Sequence, residues 1–276
     1  MANDPEQLKS FLSSRCGAGA ALAFSGGVDS TLLLAVLCEC RKEKDFPLLA
    51  ITANTPLQSK RDMEDVREIA AGFEVPLELV DCDVLMLDEV RNNHPDRCYH
   101  CKRFIFESML KKAGEYGIGL LFEGTHADDL ASYRPGIKAL KELSVVSPLA
   151  ELGIGKVQIR ELAASMGIKI AAKPSSPCLA TRFEYGTRLT AEKIGRTGKG
   201  EEFLRSILPA DADLRLRVHG DLARIEINAD NFHLLFKERQ RIVNELRKNG
   251  FSEITLDLAG FRSGSFDHIA DEADKM

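Results

Sequence analysis

The sequence has no long apolar run and no excess of positive charge, and both absences exclude classes of protein. No stretch approaches the roughly 20 consecutive apolar residues that a membrane-spanning helix needs. Residues 1–10 are polar and no basic segment leads into a hydrophobic stretch, so we expect a cytoplasmic protein without a membrane partner. The net charge of −5 argues against a large nucleic-acid-binding surface.

Two common nucleotide-binding signatures are also missing, the Gly-Lys-Ser/Thr ending of a P-loop and the G-x-G-x-x-G fingerprint. Instead, an apolar run, Ala18–Phe24, leads into a glycine-containing loop and an apolar helix, Thr31–Leu37. The loop consists of Ser25, Gly26, Gly27, Val28, Asp29 and Ser30. Its glycines let the backbone approach a phosphate, and the free N–H groups of the helix favour negative charge.

Strand and helix patterns alternate along the first part of the chain and predict an α/β fold with a doubly wound parallel sheet. The predicted strands are Ala18–Phe24, Leu48–Thr52, Leu77–Val80 and Gly119–Glu123, and the helices after the first are 59–73, Lys102–Tyr116 and Lys156–Met166. A long connection, Asp81–Arg97, separates the third strand from the helix that follows it.

The pattern changes after the turn-rich segment Lys173–Cys178, which predicts a domain boundary. We expect one domain over residues 1–184 and a small α+β domain over residues 185–276. The predicted elements of the second are a helix, Glu192–Leu208, a hairpin of Leu214–Val218 and Ala223–Ile227, a long helix, Phe232–Arg247, and a strand, Ile254–Leu258.

A second polar segment, Glu123–Asp129, follows the fourth predicted strand, at the edge where open α/β sheets bind ligands. Its acids are candidates for holding Mg²⁺, which neutralises phosphate charge in ATP chemistry. A Thr/Asp helix cap is the alternative. The candidate contacts for phosphate groups outside the glycine-containing loop are Thr52, Thr125, Asp128 and Arg134.

The seven cysteines are an odd set, so a secreted disulfide framework is a poor interpretation, and metal or redox chemistry is a better one. Cys98 and Cys101 place two thiols within reach of one metal, and Cys178 is a distant third. From the residues alone, a [4Fe-4S] cluster, a zinc site completed by His94 or His100, and unligated thiols stay open. Cys178 is also a candidate nucleophile or sulfur donor. The remaining cysteines, Cys16, Cys38, Cys40 and Cys82, lie in apolar or helical contexts that predict inert core residues.

The segment Ser25–Ser30 resembles the SGGxDS signature of the PP-loop ATP pyrophosphatase superfamily, whose members adenylate a substrate and release pyrophosphate. Along nearly its whole length the chain resembles the LarE family within that superfamily. The matching segments are Ser25–Ser30, Glu123–Gly136 with Tyr133-Arg134-Pro135-Gly136, Lys173–Arg182 and Leu214–Ile227.

The resemblance implies an ATP-dependent sulfurtransferase of nickel-pincer nucleotide biosynthesis. Such an enzyme adenylates the carboxylates of pyridinium-3,5-biscarboxylic acid mononucleotide and converts them to thiocarboxylates. One branch of the family sacrifices the sulfur of a cysteine matching Cys178. The other holds a [4Fe-4S] cluster on three cysteines and transfers a sulfide, and the presence of Cys98 and Cys101 beside Cys178 matches it.

The resemblance further implies ATP, Mg²⁺ and the cluster as cofactors, a sulfide source, and a homo-oligomer. It marks Arg215, Arg217 and Glu226 as contacts for the phosphate and carboxylates of the substrate. Two arginines at i and i+2 face one side of a strand, which suits an anionic ligand. From the spacing alone, a solvated strand face paired with glutamate is favoured.

Three other functions compete with this one. A tRNA-thiolating PP-loop enzyme would combine the loop with cysteines, but the acidic pI disfavours it. An ammonia-using synthetase would share the loop but would leave the three cysteines without a role. A nucleotide-sensing module with structural zinc is the alternative from a non-enzymatic class.

Overall fold

The computed structural model describes residues 5–130, 135–168, 170 and 177–262, and it divides into two compact units. Over their described residues, the first unit comprises Met1–Val84 and Cys98–Lys173, and the second comprises Leu85–Arg97 and Pro174–Met276. The predicted domain bounds, 1–184 and 185–276, stay a prediction. None of the described helices is long and apolar enough to cross a membrane.

A parallel sheet of four strands forms the centre of the first unit. The strands are β1 (Ala20–Ala23), β2 (Leu48–Asn54), β3 (Leu77–Asp81) and β4 (Leu121–Phe122), in the order β3-β2-β1-β4. Residues 20–22 and 48–53 are buried, as expected of parallel strands covered on both faces. The predicted α/β architecture with a parallel sheet is therefore confirmed.

Twelve helices accompany the strands in the described part of the chain. They are α1 (Pro5–Ser13), α2 (Val28–Glu43), α3 (Lys60–Gly72), α4 (Asp88–Arg91), α5 (Arg97–Glu115), α6 (Ala127–Leu130), α7 (Pro135–Glu142), α8 (Pro148–Glu151), α9 (Lys156–Ser165), α10 (Ala191–Arg205), α11 (Phe232–Lys237) and α12 (Arg239–Lys248). The core of the first unit packs Leu8 of α1, Leu33 of α2, Val66 of α3 and Ile159 of α9 with the apolar residues of the sheet.

A small mixed sheet forms the second unit, with strands β5 (Leu214–His219), β6 (Leu222–Ile227) and β7 (Glu253–Leu256). The strands β5 and β6 form the predicted antiparallel hairpin, and β7 pairs parallel to β6. The helix α10 approaches β5 closely, since a Cβ at Gly200 would lie 2.5 Å from Leu216 Cδ2.

The segment Leu85–Arg97 joins the second unit although it lies far from the rest of that unit in sequence. The Asn93 side chain is fully buried, and its Nδ2 donates to the carbonyls of Phe183 at 3.2 Å and Glu184 at 2.8 Å. The N–H of Gly186 donates to the Asn93 carbonyl at 3.1 Å. Two distant segments are thus held together by hydrogen bonds.

Three predicted elements differ from the structure. The predicted helix Phe232–Arg247 is two helices, α11 and α12, which meet at Glu238, because the polar run 237–241 interrupts its apolar face. The helix α5 begins at Arg97 rather than at Lys102, so the Cys98 and Cys101 pair lies on a helix. The connection after β3 contains α4 and a 3₁₀ turn, Val84–Met86.

Candidate functional site

The glycine-containing loop joins the carboxyl end of β1 to the first turn of α2, in the first unit. Gly26 has φ of +67°, and a Cβ there would lie 3.0 Å from Val66 Cγ2, so this position requires glycine. Gly27 is the N-cap of α2 and offers no side chain to the first helical N–H groups. These groups and the helix dipole form an anion-binding site.

Hydroxyl groups hold the shape of this loop. The Ser30 hydroxyl accepts from the Ser25 N–H at 3.3 Å and donates to the Gly27 carbonyl at 3.2 Å. Thr52, which is buried on β2, donates its hydroxyl to the Phe24 carbonyl at 2.5 Å. The Thr52 side chain therefore supports the backbone at the start of the loop. A direct contact between Thr52 and ATP stays a prediction.

Lys156, the first residue of α9, is a site residue that the sequence analysis missed. Its ammonium donates to both carboxylate oxygens of Asp29, at 2.6 and 2.8 Å. Its backbone N–H donates to Asp128 Oδ2 at 2.7 Å, and a Cβ at Gly155 would lie only 3.0 Å from Asp128 Oδ1. One residue therefore joins the acid of the loop to an acid that follows β4. The sequence signal is a Gly-Lys step at the start of a helix.

The acids that follow β4 are not equivalent. Glu123 is buried and accepts from the Thr125 N–H at 2.9 Å, the Thr125 hydroxyl at 2.8 Å and the Ser147 hydroxyl. Asp129 is also buried and accepts from the His126 N–H at 3.3 Å. The Asp128 side chain, in contrast, is 63% exposed. Asp128 is thus the acid of this segment that a metal ion reaches most easily.

A cavity of about 410 Å³ opens at the carboxyl end of β2. It is lined by residues 54–56 and by the start of α3, including Lys60 and Arg67. The same helix packs Val66 against Gly26 of the loop. The cavity lies at the sheet edge where α/β proteins bind nucleotides. Arg134, which the sequence analysis assigned to ATP binding, lies outside the described residues.

The three cysteines of interest differ in their surroundings. Cys98 and Cys101 are half-buried and lie one turn apart on α5, so they share one face of that helix. Cys178 is exposed and precedes a 3₁₀ turn, Leu179–Arg182. Across the described residues, no three His, Cys, Asp or Glu side chains converge as a metal site. The three-cysteine ligand set stays a prediction.

The remaining cysteines are poor nucleophiles. Burial raises the pKa of the thiols of Cys38, Cys40 and Cys82, and it raises that of Cys16 to about 12. A raised pKa keeps these thiols protonated at neutral pH, and the thiolate is the reactive form. Cys98, Cys101 and Cys178 stay the predicted residues for sulfur chemistry.

The predicted substrate residues lie on one face of the hairpin in the second unit. The register pairs Arg215 with Glu226 and Arg217 with Arg224. Arg217 Nε donates to Glu226 Oε2 at 2.9 Å, and Arg224 Nη2 donates to Glu226 Oε1 at 3.0 Å. Arg217 is 4% exposed and Glu226 is 0% exposed, so the face is paired with glutamate as expected but is not solvated.

Arg215 is buried near other arginines and near the carboxylate of Glu201. Burial, together with the positive charges of Arg182 and Arg217, lowers its pKa to about 10. Its guanidinium lies 5.0 Å from the centre of the Phe261 ring, and its Nη1 donates to the Leu214 carbonyl at 2.7 Å. A bound anion would favour the charged form of Arg215 and relieve the repulsion.

The turn that follows Cys178 is bonded to this hairpin. Arg217 Nη1 donates to the Thr181 carbonyl at 2.6 Å, and Phe183 forms a parallel bridge with Val218 of β5. The segment that begins with the exposed Cys178 is therefore joined by hydrogen bonds to the buried pair of Arg217 and Glu226. No local sequence pattern predicts the contact of Arg217 with Thr181. The same is true of the buried acids that pair with the arginines.

Known proteins resemble this chain over most of its length. Residues 2–133 match the family model of a PP-loop domain. A pyridinium-3,5-bisthiocarboxylic acid mononucleotide synthase of Lactiplantibacillus plantarum is 32% identical over 243 residues, which cover 88% of this chain and 87% of the relative.

Two further relatives differ in how much of this chain they match. An uncharacterized protein of Synechocystis is 34% identical over 252 residues, covering 91% of this chain and 92% of the relative. A tRNA-specific 2-thiouridylase of Geotalea uraniireducens is 28% identical over 221 residues, covering 63% of this chain and 57% of the relative. The match to the synthase covers 88% of this chain, and the chain therefore belongs to the LarE family of ATP-dependent PP-loop sulfurtransferases.

Proposed function

We propose that this enzyme adenylates the carboxylates of pyridinium-3,5-biscarboxylic acid mononucleotide and converts them to thiocarboxylates, as a step of nickel-pincer nucleotide biosynthesis. The observation that carries the proposal is the bonded assembly of the second unit, in which the exposed Cys178 precedes a turn held by Arg217. A sulfur-bearing side chain and two buried arginines suit a substrate that carries carboxylates and a phosphate. The product named for the Lactiplantibacillus relative has this chemistry.

Adenylation falls to the first unit. A substrate carboxylate oxygen attacks the α-phosphorus of ATP, and the bond to the β-phosphate oxygen breaks, so pyrophosphate leaves with the electron pair. The N–H groups at the start of α2 and the Lys156 ammonium stabilise the charge that develops on pyrophosphate. Asp29 and Asp128 would hold Mg²⁺, which would supply positive charge to the phosphates of ATP.

Substrate recognition falls to Arg215 and Arg217, with Glu226 holding Arg217 in place. Burial is the largest cause of the lowered pKa of Arg215, and the charges of Arg182 and Arg217 add to it. A phosphate or carboxylate of the substrate, bound at these arginines, would favour the charged form of Arg215. A sulfur nucleophile then attacks the acyl carbon of the adenylate, and AMP leaves with the electron pair of the C–O bond.

The three cysteines suit a [4Fe-4S] cluster in their chemistry, because thiolates are its usual protein ligands. We infer that these three thiols would hold it. When bound, such a cluster supplies a transferable sulfide at an iron that has no protein ligand. The alternatives are zinc at the same cysteines, and a sacrificial route in which Cys178 gives up its own sulfur.

The experiment is anaerobic purification followed by iron, sulfide and zinc analysis, with mass spectrometry of products and protein. About four irons per chain, lost in Cys178→Ala, together with repeated turnover on added sulfide, would support the cluster route. Dehydroalanine at position 178 after one turnover would identify the sacrificial route. Zinc without iron would contradict the cluster.

Thiolation of tRNA is the alternative function, and the similarity to a tRNA-specific 2-thiouridylase supports it. The same assay distinguishes it when unmodified tRNA replaces the pyridinium mononucleotide. Sulfur incorporation into tRNA, with none into the mononucleotide, would overturn the proposed substrate. The net charge of −5 leads us to expect the reverse.

A further inference from the structure

A single buried arginine holds the backbone around Cys178. Arg182 is 2% exposed and closes the 3₁₀ turn Leu179–Arg182. Its Nη1 donates to the Pro177 carbonyl at 2.8 Å, the Cys178 carbonyl at 3.3 Å and the Thr181 hydroxyl at 2.8 Å. The Thr181 hydroxyl in turn donates to the Cys178 carbonyl at 2.9 Å. The peptide groups on both sides of the thiol-bearing carbon are therefore fixed by one planar cation.

Glu201 of α10 fixes the guanidinium of Arg182 from its other side. The contact is bidentate, with Arg182 Nε donating to Oε1 at 2.8 Å and Nη2 donating to Oε2 at 2.9 Å. Burial opposes ionisation of Glu201, but the charge and hydrogen bonds of Arg182 outweigh it and lower the pKa of this carboxyl. A bidentate pair of this kind fixes orientation as well as distance.

The same carboxylate also reaches the strand that carries the substrate arginines. Glu201 Oε1 accepts from the Leu216 N–H at 2.8 Å. Leu216 lies between Arg215 and Arg217 on β5. A chain of hydrogen bonds thus runs from the Cys178 carbonyl through Arg182 and Glu201 to the backbone of the anion-binding strand.

We propose that Arg182, held by Glu201, is a positioning residue that sets the Cys178 thiol relative to the anion site formed by Arg215 and Arg217. This inference rests on the proposed function and deepens it. The sulfur donor must meet the acyl carbon of a substrate whose anionic groups are bound on β5. A misplacement of about 1 Å costs on the order of 100-fold in rate. Because Cys178 acts in sulfur transfer and not in adenylation, we expect loss of this link to slow the transfer step.

The test separates the two half-reactions in a single turnover of the holoenzyme with ATP, sulfide and pyridinium-3,5-biscarboxylic acid mononucleotide. Pyrophosphate release reports adenylation, and thiocarboxylate formation reports sulfur transfer. For Arg182→Lys and Glu201→Gln, we expect thiocarboxylate formed per pyrophosphate to fall by about 10-fold or more, with pyrophosphate release within about 2-fold of wild type.

A second readout does not depend on activity. The Thr181 N–H donates to the Cys178 carbonyl at 3.1 Å, and the Phe183 N–H donates to the Ala180 carbonyl at 3.2 Å. If Arg182 holds the turn, hydrogen exchange at these two amides should be about 10-fold faster in Arg182→Lys than in wild type. Exchange in α12, which is remote from the turn in sequence, should not change.

Arg196→Lys is the matched control. Arg196 also holds two backbone carbonyls of the second unit, Gly220 at 2.7 Å and Gly250 at 2.9 Å, and pairs with an acid, Asp221, at 3.0 Å. It has no contact with the Cys178 turn among the described interactions. We expect Arg196→Lys to leave the product ratio and the exchange at Thr181 unchanged.

Thr181→Val covers the case in which Arg182→Lys does not fold. Thr181 is half-buried, and the substitution removes the hydroxyl that links Arg182 to the Cys178 carbonyl. A wild-type product ratio and wild-type exchange in folded Arg182→Lys, or in Thr181→Val if the first is unfolded, overturns the inference. Full thiocarboxylate yield in Cys178→Ala would also overturn the inference. Wild type that releases no pyrophosphate, or forms no thiocarboxylate from this substrate, would overturn the proposed function instead.

Discussion

The two charged sites of this enzyme are built in opposite ways. In the first unit, the anion site consists of backbone N–H groups and partly exposed side chains, with Lys156 bridging Asp29 and Asp128. In the second unit, Arg217 and Glu226 are almost completely buried and paired. The first arrangement suits a nucleotide that enters and leaves in each cycle. The second arrangement consists of buried, paired side chains that also belong to the core of the unit.

The largest expected effect lies in the first site. Lys156→Ala removes the cation that faces the developing charge on pyrophosphate, so pyrophosphate release should fall by about 100-fold or more. A coupled pyrophosphate assay at saturating ATP measures this. Lys112→Ala, which removes an exposed lysine paired with Glu115 at 2.6 Å, should stay within about 2-fold. An unchanged rate in Lys156→Ala would mean that the lysine only occupies Asp29 in the absence of ATP.

The second site should respond in stability as well as in activity. Glu226→Ala leaves Arg217 buried without its carboxylate partner, which costs about 3–5 kcal/mol of unfolding free energy. Urea denaturation measures the loss. Glu245→Ala breaks an exposed pair with Lys248 and should cost less than ~1 kcal/mol. Equal costs in the two variants would contradict the contrast between a buried and an open site.

Anion binding sharpens the same contrast. Inorganic phosphate at 100-fold excess over its Kd should raise the Tm of wild type by roughly 5 °C, because it neutralises buried cations. Arg215→Met should reduce this shift by about half or more, since it removes one of these cations. Arg241→Met, at an exposed position beside Glu238, is the control and should retain the full shift. A full shift in Arg215→Met would place the phosphate elsewhere.

At neutral pH, differences among the thiols affect only their reactivity. The pKa of Cys16 is raised to about 12, so at pH 8 only about 1 in 10⁴ of its thiols is ionised and iodoacetamide should spare it while alkylating Cys178. The stability that Cys16 contributes is fully present below the pKa of an unfolded thiol, about 8.5. It is lost as the pH rises through about 12. Peptide mass spectrometry and unfolding curves from pH 8 to pH 12 check both outcomes.

Sequence patterns predicted the parallel sheet and the phosphate loop because both depend on local order. An apolar strand, two glycines and a helix start are adjacent in the chain, so their spacing carries the information. The break at Glu238 within the predicted helix Phe232–Arg247 was missed, although the polar run of residues 237–241 marks it.

The buried partners in the second unit were beyond sequence reasoning for a different reason. Glu201 meets Arg182 across 19 residues, and Arg217 meets Thr181 across 36 residues. No periodicity within one element predicts which distant element supplies a partner. The same limit applies to Lys156, which meets Asp29 across 127 residues. The family resemblance selected Arg215 and Arg217, but their burial was not predicted.

The hydrogen bonds of Asn93 set a condition on how this protein can be divided. Asn93 reaches the carbonyls of Phe183 and Glu184, so the chain enters the second unit, leaves it for the sheet of the first, and later returns. A fragment that starts at residue 185 would lack both the asparagine and its acceptors, and one that starts at residue 177 would leave those carbonyls without Nδ2. A single proteolytic cut therefore cannot release the second unit with these hydrogen bonds intact.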